Sequence, residues 1–322
     1  MNLHPEIALI GAAIVDIPLA PVGPDLFARH STPVERIAMG AGGDALNEAL
    51  ALSKLGVRPL LVSVIGEDPA GDFVLNTLAD AGVDASCVLR EPGLDTGVNI
   101  VLVGPDGEHR FVTSRTGSLR RLGPEHVLPA LESPAFSGVK IACLASLFVS
   151  PRLTLSDMET LLGTLKARGV TLCADTTRPK NGETLRDAAP VLSKLDYFFP
   201  NRDEAAALTG KGDPEAAADA LLACGVKHAV IKLGGEGCLL ASADERLRVP
   251  AVPGITPVDT TGAGDTFAAG FLAALNEGRS FADCGRFACA AASLCVEGVG
   301  AVTGDWTRDE VEARLKGVGS RE

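Results

Sequence analysis

Short apolar runs alternate with helical patterns along most of the chain, and this alternation restricts the fold more than any other feature. Buried strands are predicted at residues 6–17, 60–66, 140–146, 170–175, 196–200 and 228–234. Helices are predicted at residues 44–56, 70–81, 156–168, 214–224, 264–277, 281–297 and 307–316. Such alternation is typical of a parallel sheet with helices on both faces, so the sequence predicts an α/β fold.

Residues 96–115 interrupt the alternation. Two runs of alternating apolar and polar residues flank Pro105, Asp106 and Gly107, which is typical of a β-hairpin with a short turn. The hairpin is either an ordinary edge hairpin or a cover over a binding site. The preceding segment 16–38 contains scattered prolines, which predict irregular or edge-strand structure.

Residues 257–272, PVDTTGAGDTFAAGFL, join a loop of small residues to the start of a helix. At Gly262, Ala263 and Gly264 the backbone N–H groups can approach an anion closely, and a helix N-terminus favours phosphate. Asp265 places a carboxylate in the first turn. It either complements the helix dipole or removes a proton from a hydroxyl that attacks a phosphoryl group. The dipole is expected to lower the pKa of Asp265.

Charge and composition exclude several classes of protein. The formal net charge of −12 argues against a nucleic-acid-binding protein, which needs a basic surface. No apolar run approaches the roughly 18 residues of a membrane span, and no basic start precedes an apolar segment, so a cytoplasmic protein without a membrane partner is expected. The eight cysteines form no C-x-x-C pair and are expected to be reduced core residues.

The stretch 257–272 resembles the C-terminal signature of the ribokinase-like (PfkB) carbohydrate kinases, D-T-x-G-A-G-D before a small-residue helix. The matching residues are Asp259, Thr260, Gly262, Ala263, Gly264 and Asp265. The resemblance spans residues 5–304 and implies a ribokinase-like three-layer α/β/α sandwich with a central, mostly parallel sheet. It also implies a single kinase domain over 1–322, with a small β-sheet lid formed from about 16–39 and 96–115 that pairs two subunits into a homodimer.

The same resemblance assigns the phosphate end of the site. It implies that Asp265 is the catalytic base and that the amides of Gly262, Ala263 and Gly264 form an anion hole, with ATP as co-substrate and Mg²⁺ as cofactor. Asn201 and Glu204 match the family's N-x-x-E motif, in which the Glu orders Mg²⁺ through water. The alternative is a capped helix start, and both can hold together. Asp259 and Thr261 match the potassium site of some members.

The resemblance also assigns the sugar and nucleotide contacts. Sugar-binding residues would be Asp16, Gly42, Gly43 and Asn47, although the two glycines alone also fit a turn with Asp44 as N-cap. Arg178 would hold a carboxylate or hydroxyl, or else is a surface arginine. Nucleotide-binding positions are Asn201, Lys232, Gly234, Gly237 and Cys289, the last replacing an Asn of typical members.

These features predict an ATP-dependent carbohydrate kinase that phosphorylates a primary hydroxyl of a small sugar. The segment 115–118, RTGS, is similar to fructokinase and 2-keto-3-deoxygluconate kinase relatives, which favours a ketohexose or sugar acid, with a pentose next. One alternative is a nucleoside kinase of the same family, although aromatic residues for stacking make up only 4% of the chain. Another is a catalytically silent sugar-binding sensor.

Overall fold

The computed structural model describes residues 4–105, 109–298, 300–302 and 304–319. The strands are β1 (Ile7–Ile10), β2 (Ile14–Ala20), β3 (Arg36–Ile37), β4 (Gly40–Gly42), β5 (Leu60–Gly66), β6 (Asp84–Glu91), β7 (Val98–Val103), β8 (His109–Thr113), β9 (Ile141–Leu147), β10 (Thr171–Thr176), β11 (Tyr197–Phe198), β12 (His228–Lys232), β13 (Cys238–Ser242) and β14 (Arg246–Val249). The α-helices are α1 (Asp44–Lys54), α2 (Pro69–Asp80), α3 (Pro124–Ala130), α4 (Leu155–Ala167), α5 (Leu185–Leu192), α6 (Arg202–Thr209), α7 (Pro214–Ala223), α8 (Ala263–Asn276), α9 (Phe281–Cys295) and α10 (Arg308–Gly319).

A nine-stranded sheet forms the centre, in the order β14-β13-β12-β11-β10-β9-β1-β5-β6. The strands from β12 to β6 pair in parallel, whereas β13 and β14 join the edge antiparallel. The predicted central, mostly parallel sheet is therefore confirmed.

Helices cover both faces of this sheet because its strands are apolar on both faces. In β1, Ile7 and Leu9 point into one core cluster, and Ala8 and Ile10 point into the other. Buried residues of α1, α2, α8, α9 and α10 complete the first cluster, and those of α3 to α7 complete the second. The predicted three-layer α/β/α sandwich is therefore confirmed.

A second, smaller sheet contains five strands: β3, β2, β7 and β8 in that order, with β4 also paired to β2. β7 and β8 form the antiparallel hairpin predicted at 96–115. Its predicted turn residues Asp106 and Gly107 lie outside the described residues. The segment predicted as irregular or edge-strand structure contains β3, an edge strand of this sheet, and most of the inner strand β2, including Pro18.

The single strand predicted at 6–17 is wrong. The structure has two strands there, β1 in the central sheet and β2 in the second sheet. Between them lies Gly11, where an added Cβ would approach the carbonyl oxygen of Ala145 to 2.7 Å. The chain leaves the central sheet at this close contact. A continuous apolar run in the sequence conceals the change of sheet.

Three strands of the central sheet are absent from the sequence prediction. β6 carries Asp84, Arg90 and Glu91, so its apolar signal is weak, and β13 and β14 follow a glycine loop that was interpreted only as a ligand contact. β6 and β14 are the two edge strands, where one side of a strand tolerates polar residues, whereas β13 is an inner strand that is apolar and buried from Cys238 to Ala241. Within the described part of the chain, no helix combines the length and apolar character needed to cross a bilayer.

Candidate active site

A cleft of about 980 Å³ opens beyond the carboxyl ends of the central strands. Its lining runs from Asp44 and Asp265 to the loop 234–237 and the segment 250–257. The chain reverses its strand order beside β1, which has β5 on one side and β9 on the other. In open α/β sheets the crevice at such a reversal is the usual ligand site.

Asp265 lines this cleft from the first turn of α8. Its Oδ2 atom accepts a hydrogen bond of 2.7 Å from Nδ2 of Asn47, which is on α1 and only 5% exposed. Two helices distant in sequence therefore fix the carboxylate, and the predicted base and a predicted sugar ligand are brought together. The Oδ1 atom of Asn47 is buried without a partner among the described residues.

Backbone amides at the start of α8 face the same region. Gly262 is the N-cap residue with φ of 74°, a left-handed conformation that suits glycine. The amide of Ala263 donates to the carbonyl of Thr260 at 3.2 Å, so one of the three predicted anion-hole amides already has an acceptor. For the amides of Gly264 and Asp265 no backbone acceptor is found among the described residues, which leaves them available to an anion.

The expected lowering of the pKa of Asp265 is wrong. Burial raises the pKa of this carboxyl well above its usual range, and the charges of Asp44 and Asp175 add to the effect. The hydrogen bond from Asn47 and the charge of Lys232 oppose it. Burial, with the neighbouring carboxylates next, therefore makes Asp265 a stronger base than an exposed aspartate.

Lys232 provides the positive charge of the cleft. Its Nζ atom donates to both carboxylate oxygens of Asp175, at 2.8 and 2.6 Å, and the two side chains are only 12% and 5% exposed. Burial alone would lower the pKa of Lys232, but the charges of Asp175 and Glu204 raise it above its usual range. A Cβ added to Gly264 would lie 3.4 Å from the ammonium, so this charge is beside the free amides.

Asp16 lies in the second sheet, in the middle of β2 rather than at the end of the first strand. Its Oδ1 atom accepts a 3.0 Å hydrogen bond from Asn99 of β7, and burial raises its pKa to about 6. A Cβ added to Gly42 would lie 2.3 Å from the Asp16 carboxylate. The glycine therefore leaves room for the acid, and these two predicted sugar-binding residues are adjacent.

The start of α1 differs from the alternative prediction. Gly43, with φ of 88°, is the N-cap residue, and Asp44 is the first helical residue rather than the cap. Asp44 lines the cleft, and burial, with the charge of Asp175 next, raises its pKa to about 6. Gly43 thus turns the chain from the second sheet into α1, where Asp44 lines the cleft and the buried Asn47 contacts Asp265.

Asn201 and Glu204 form a capping box at the start of α6. Oδ1 of Asn201 accepts from the amide of Glu204 at 2.9 Å, and Oε2 of Glu204 accepts from the amide of Asn201 at 2.8 Å. Both residues also line the cleft. Burial raises the pKa of Glu204 to about 7, with the charge of Lys232 opposing.

All five predicted nucleotide-binding residues line the cleft, including Asn201 and Lys232. Gly234 and Gly237 bound a single turn of 3₁₀ helix between β12 and β13, and both line the cleft with Cys289. The Sγ atom of Cys289 is 3.9 Å from that of Cys238, and both thiols are free. All eight cysteines are free, as the sequence predicted.

Arg178 and the Asp259–Thr261 pair do not extend into the cleft. Arg178 donates to Asp203 at 3.0 Å, and the two side chains are 67% and 70% exposed. Oδ1 of Asp259 accepts from the amide and the hydroxyl of Thr261, at 2.8 and 2.7 Å, and Oδ2 accepts from the amide of Gly300 at 2.8 Å.

Several residues near the site were not predicted to be functional. They are Asp44, Glu48, Asn99, His109 and Asp175. The sequence around Asp44 and Asp175 could have indicated them: Asp44 follows the glycine pair Gly42-Gly43, and Asp175 ends a buried strand at the cleft end of the sheet. Glu48 had none: it is fully buried on α1, and its carboxyl oxygens have no partner among the described residues.

Comparison with known proteins gives one consistent group. The sequence profile described as pfkB family carbohydrate kinase matches residues 4–308. Ribokinase of Arabidopsis thaliana is 30% identical over 285 residues, 86% of this chain and 72% of the ribokinase. 2-Dehydro-3-deoxygluconokinase of Bacillus subtilis (strain 168) is 27% identical over 299 residues, 88% of each chain. The structure of Arabidopsis thaliana ribokinase complexed with ribose and ATP is similar with a TM-score of 0.82 and 28% identity, covering 98% of this chain and 99% of the other.

Proposed function

The chain belongs to the pfkB family of carbohydrate kinases and is a sugar kinase, and on that premise we propose that it transfers the γ-phosphoryl group of ATP to a primary hydroxyl of a small sugar. The observation that carries the proposal is the meeting of the Asp265 carboxylate with the free amides of its own helix start inside the cleft. The ribose and ATP bound by the similar ribokinase support both substrates.

Phosphoryl transfer passes through a loose transition state in which negative charge spreads over the moving group. Amides at the start of α8 donate to those oxygens, and the ammonium of Lys232 adds a charge beside Gly264. We include the amide of Asp265 in this hole with those of Gly262 and Gly264. The amide of Ala263 contributes less, since it donates to Thr260.

Asp265 accepts the proton of the sugar hydroxyl. Because burial raises the pKa of this carboxyl, its ionised form is a better base than an exposed aspartate, and ionisation requires a higher pH. Asn47 donates to Oδ2 and so orients Oδ1 toward the reacting hydroxyl. We assign Asn47 a positioning role in addition to the predicted sugar contact.

The residues around Glu204 fit Mg²⁺ held mainly by phosphates and water. Within the described residues no group of three or more His, Cys, Asp or Glu side chains forms a metal cage, and Mg²⁺ commonly binds through one or two carboxylates plus substrate phosphates. The capping box uses Oε2 of Glu204 and leaves Oε1 outside it. When bound, Mg²⁺ would neutralise charge on the phosphates.

Asp259 and Thr261 fit a potassium site poorly. The carboxylate of Asp259 already accepts three hydrogen bonds, two from Thr261 and one from Gly300. Both lone pairs of Oδ1 are used by Thr261 and one of Oδ2 by Gly300, so the carboxylate offers a cation one remaining lone pair. We therefore leave potassium out of the proposed reaction.

The sugar end of the site favours a neutral sugar. Asp16, Asp44 and Asp265 can accept hydrogen bonds from hydroxyls and would repel a carboxylate or a phosphate. Arg178, the predicted partner of a sugar acid, is paired with Asp203 on the surface. We therefore propose a ketohexose or pentose ahead of a sugar acid.

We further propose that the chain forms one kinase domain whose second sheet is the lid and pairs with a second copy. Of the large apolar side chains that are exposed in the described residues, five of seven lie on or beside this sheet: Phe27, Ile37, Met39, Phe111 and Val112. Apolar exposure concentrated on one surface is typical of a protein interface. Sedimentation analysis should give a dimer, and Ile37→Glu should give a monomer.

A substrate panel tests the proposed function. ADP release is measured with fructose, ribose, 2-keto-3-deoxygluconate and adenosine, each with Mg²⁺ and ATP. We expect turnover with fructose or ribose that exceeds turnover with the sugar acid. Preference for adenosine would indicate a nucleoside kinase. Tight sugar binding without ADP release would indicate a sensor and would refute the kinase proposal.

A further inference from the structure

His109 joins the second sheet to the turn that precedes the anion hole. It is the first residue of β8, and its Nδ1 atom lies 3.1 Å from the hydroxyl oxygen of Thr261. Its Nε2 atom lies 3.8 Å from Oδ1 of Asp259. The side chains of His109 and Asp259 are only 20% and 14% exposed, so the contact is largely shielded from water.

The direction of this hydrogen bond follows from the number of available protons. The Thr261 hydroxyl has one hydrogen to donate. The Asp259 carboxylate, at 2.7 Å, is a stronger acceptor than an imidazole nitrogen and takes this hydrogen. The hydroxyl oxygen must then accept from His109, so Nδ1 of the imidazole carries the hydrogen. His109 is therefore a donor to the turn.

The turn held in this way leads directly into the anion hole. Asp259 binds the amides of Thr261 and Gly300, and Thr261 is followed by Gly262, the N-cap of α8. His109 thus forms a hydrogen bond from the second sheet to this turn. The same hairpin carries Asn99, which binds Asp16 in the proposed sugar site, and Val103 of that strand pairs with His109.

We propose that His109 is a positioning residue, through which the second sheet holds the Asp259–Thr261 turn so that the amides of Gly264 and Asp265 meet the transferred phosphoryl group. This inference rests on the proposed kinase function. Anion-hole donors act only when they are fixed in place before the reaction, and a small displacement costs much of their effect. Sugar binding at Asp16 and phosphate stabilisation at α8 thereby share one hairpin.

The first test separates positioning from folding. His109→Ala should lower kcat about tenfold while the KM values for ATP and sugar change less than about threefold, because the lost contact acts on the transition state. His109→Asn should recover most of kcat, since the Asn Nδ2 atom can donate from the place of Nδ1. His4→Ala, at an exposed histidine outside the site, should behave as wild type in all three parameters.

A second test measures the mobility of the Asp259–Thr261 turn by hydrogen exchange, independently of activity. Hydrogen exchange of the segment 258–266 should be faster in His109→Ala than in wild type and should return to the wild-type rate in His109→Asn. Thr261→Val should lower kcat at least as much as His109→Ala, because it removes the contact with His109 and also the hydroxyl hydrogen bond to Asp259. The double variant should be no worse than Thr261→Val alone, because the His109 contact is already lost there.

The outcomes separate the two proposals. If wild type phosphorylates a sugar and His109→Ala keeps its kcat, or if His109→Asn is as poor as His109→Ala, the positioning role is refuted. Unchanged hydrogen exchange in both His109→Ala and Thr261→Val would also refute it. If wild type phosphorylates none of the panel sugars, the proposed function fails first, while the exchange measurement still tests the contact.

Discussion

The two sheets of this protein differ in how firmly they are fixed, and each supplies a different part of the site. The central sheet has helices on both faces, and strands such as β5 and β9 are buried at every residue. It positions Lys232 and Asp175, and α8 with Asp265 packs on it. The second sheet leaves β8 largely exposed and supplies Asp16 and His109. We propose that the central sheet supplies the phosphate chemistry and the second sheet the sugar contacts, with His109 linking the second sheet to the phosphate end.

The largest effect is expected for Asp265→Asn, on the central-sheet side. Turnover should fall by roughly 10²–10⁴ because the proton acceptor is lost, whereas ATP binding should be unchanged. Single-turnover kinetics and nucleotide titration measure the two quantities separately. Because burial raises the pKa of Asp265, the wild-type rate should also fall on acidification at a pH above the usual Asp range.

A variant Asp265→Asn within tenfold of wild type would contradict the assigned base. Asp187→Asn is a suitable control, since Asp187 caps α5 at the surface, outside the cleft. It should leave both the rate and its pH dependence unchanged.

The next effect concerns the buried ion pair. Lys232→Met should lower kcat and also destabilise the fold by about 3–5 kcal/mol, because Asp175 is left buried without its partner. The double variant Lys232→Met with Asp175→Asn should recover most of the stability but not the activity. Chemical denaturation and kcat give the two readouts. Recovery of activity in the double variant would refute a direct role of the ammonium at the phosphates.

A smaller effect, restricted to sugar binding, is expected in the second sheet. Asp16→Asn removes a charged acceptor worth about 1.5–3 kcal/mol, so the sugar KM should rise about 10–100-fold. The KM for ATP should stay within about twofold. Initial-rate kinetics with each substrate varied in turn measures both. Equal increases in the KM values for sugar and ATP would contradict the assignment of Asp16 to sugar binding alone.

The smallest effect is expected for Asp44→Asn, which should increase the free energy of unfolding, whereas the variants above lose activity or stability. The pKa of Asp44 is raised to about 6 in the folded chain by burial and by Asp175, so its ionised form is disfavoured there. The protonated Asp44 carboxyl therefore stabilises the folded chain. This stabilisation is fully present below the usual Asp pKa and is lost as the pH rises through about 6. Asp44→Asn should therefore stabilise the protein at pH 7.5 by about 1–3 kcal/mol.

Thermal melting between pH 4 and 8 checks this prediction, and the gain should vanish toward pH 4. Asp68 is a control whose pKa shifts in the opposite direction. Burial alone would raise the pKa of Asp68, but hydrogen bonds from Thr96 and Gly71 lower it below its usual value. Asp68→Asn should destabilise at neutral pH and lose its effect on acidification. A gain for Asp44→Asn that persists at pH 4 would point to a cause other than charge.

Features encoded in neighbouring residues could be predicted from the sequence. Continuous apolar runs predicted six of the nine central strands, and the stretch 257–272 indicated both a phosphate site and the carbohydrate kinase family. The direction of the pKa shift of Asp265 could not be predicted, because it depends first on burial of the carboxyl in the folded chain and then on Asp44 and Asp175, which fold beside it from other elements. The same holds for the contacts of Asp16 with Asn99 and of Lys232 with Asp175, which join residues 83 and 57 positions apart.

The change of sheet between β1 and β2 has a mechanical consequence. Only Gly11, Ala12 and Ala13 connect them, and all three are buried. Four Cα steps reach about 14 Å at full extension, so this short tether limits how far β2 can travel from the central sheet. Gly43 joins β4 to α1 just as directly, so we expect any opening for substrate exchange to be smallest beside these two junctions and larger toward β8.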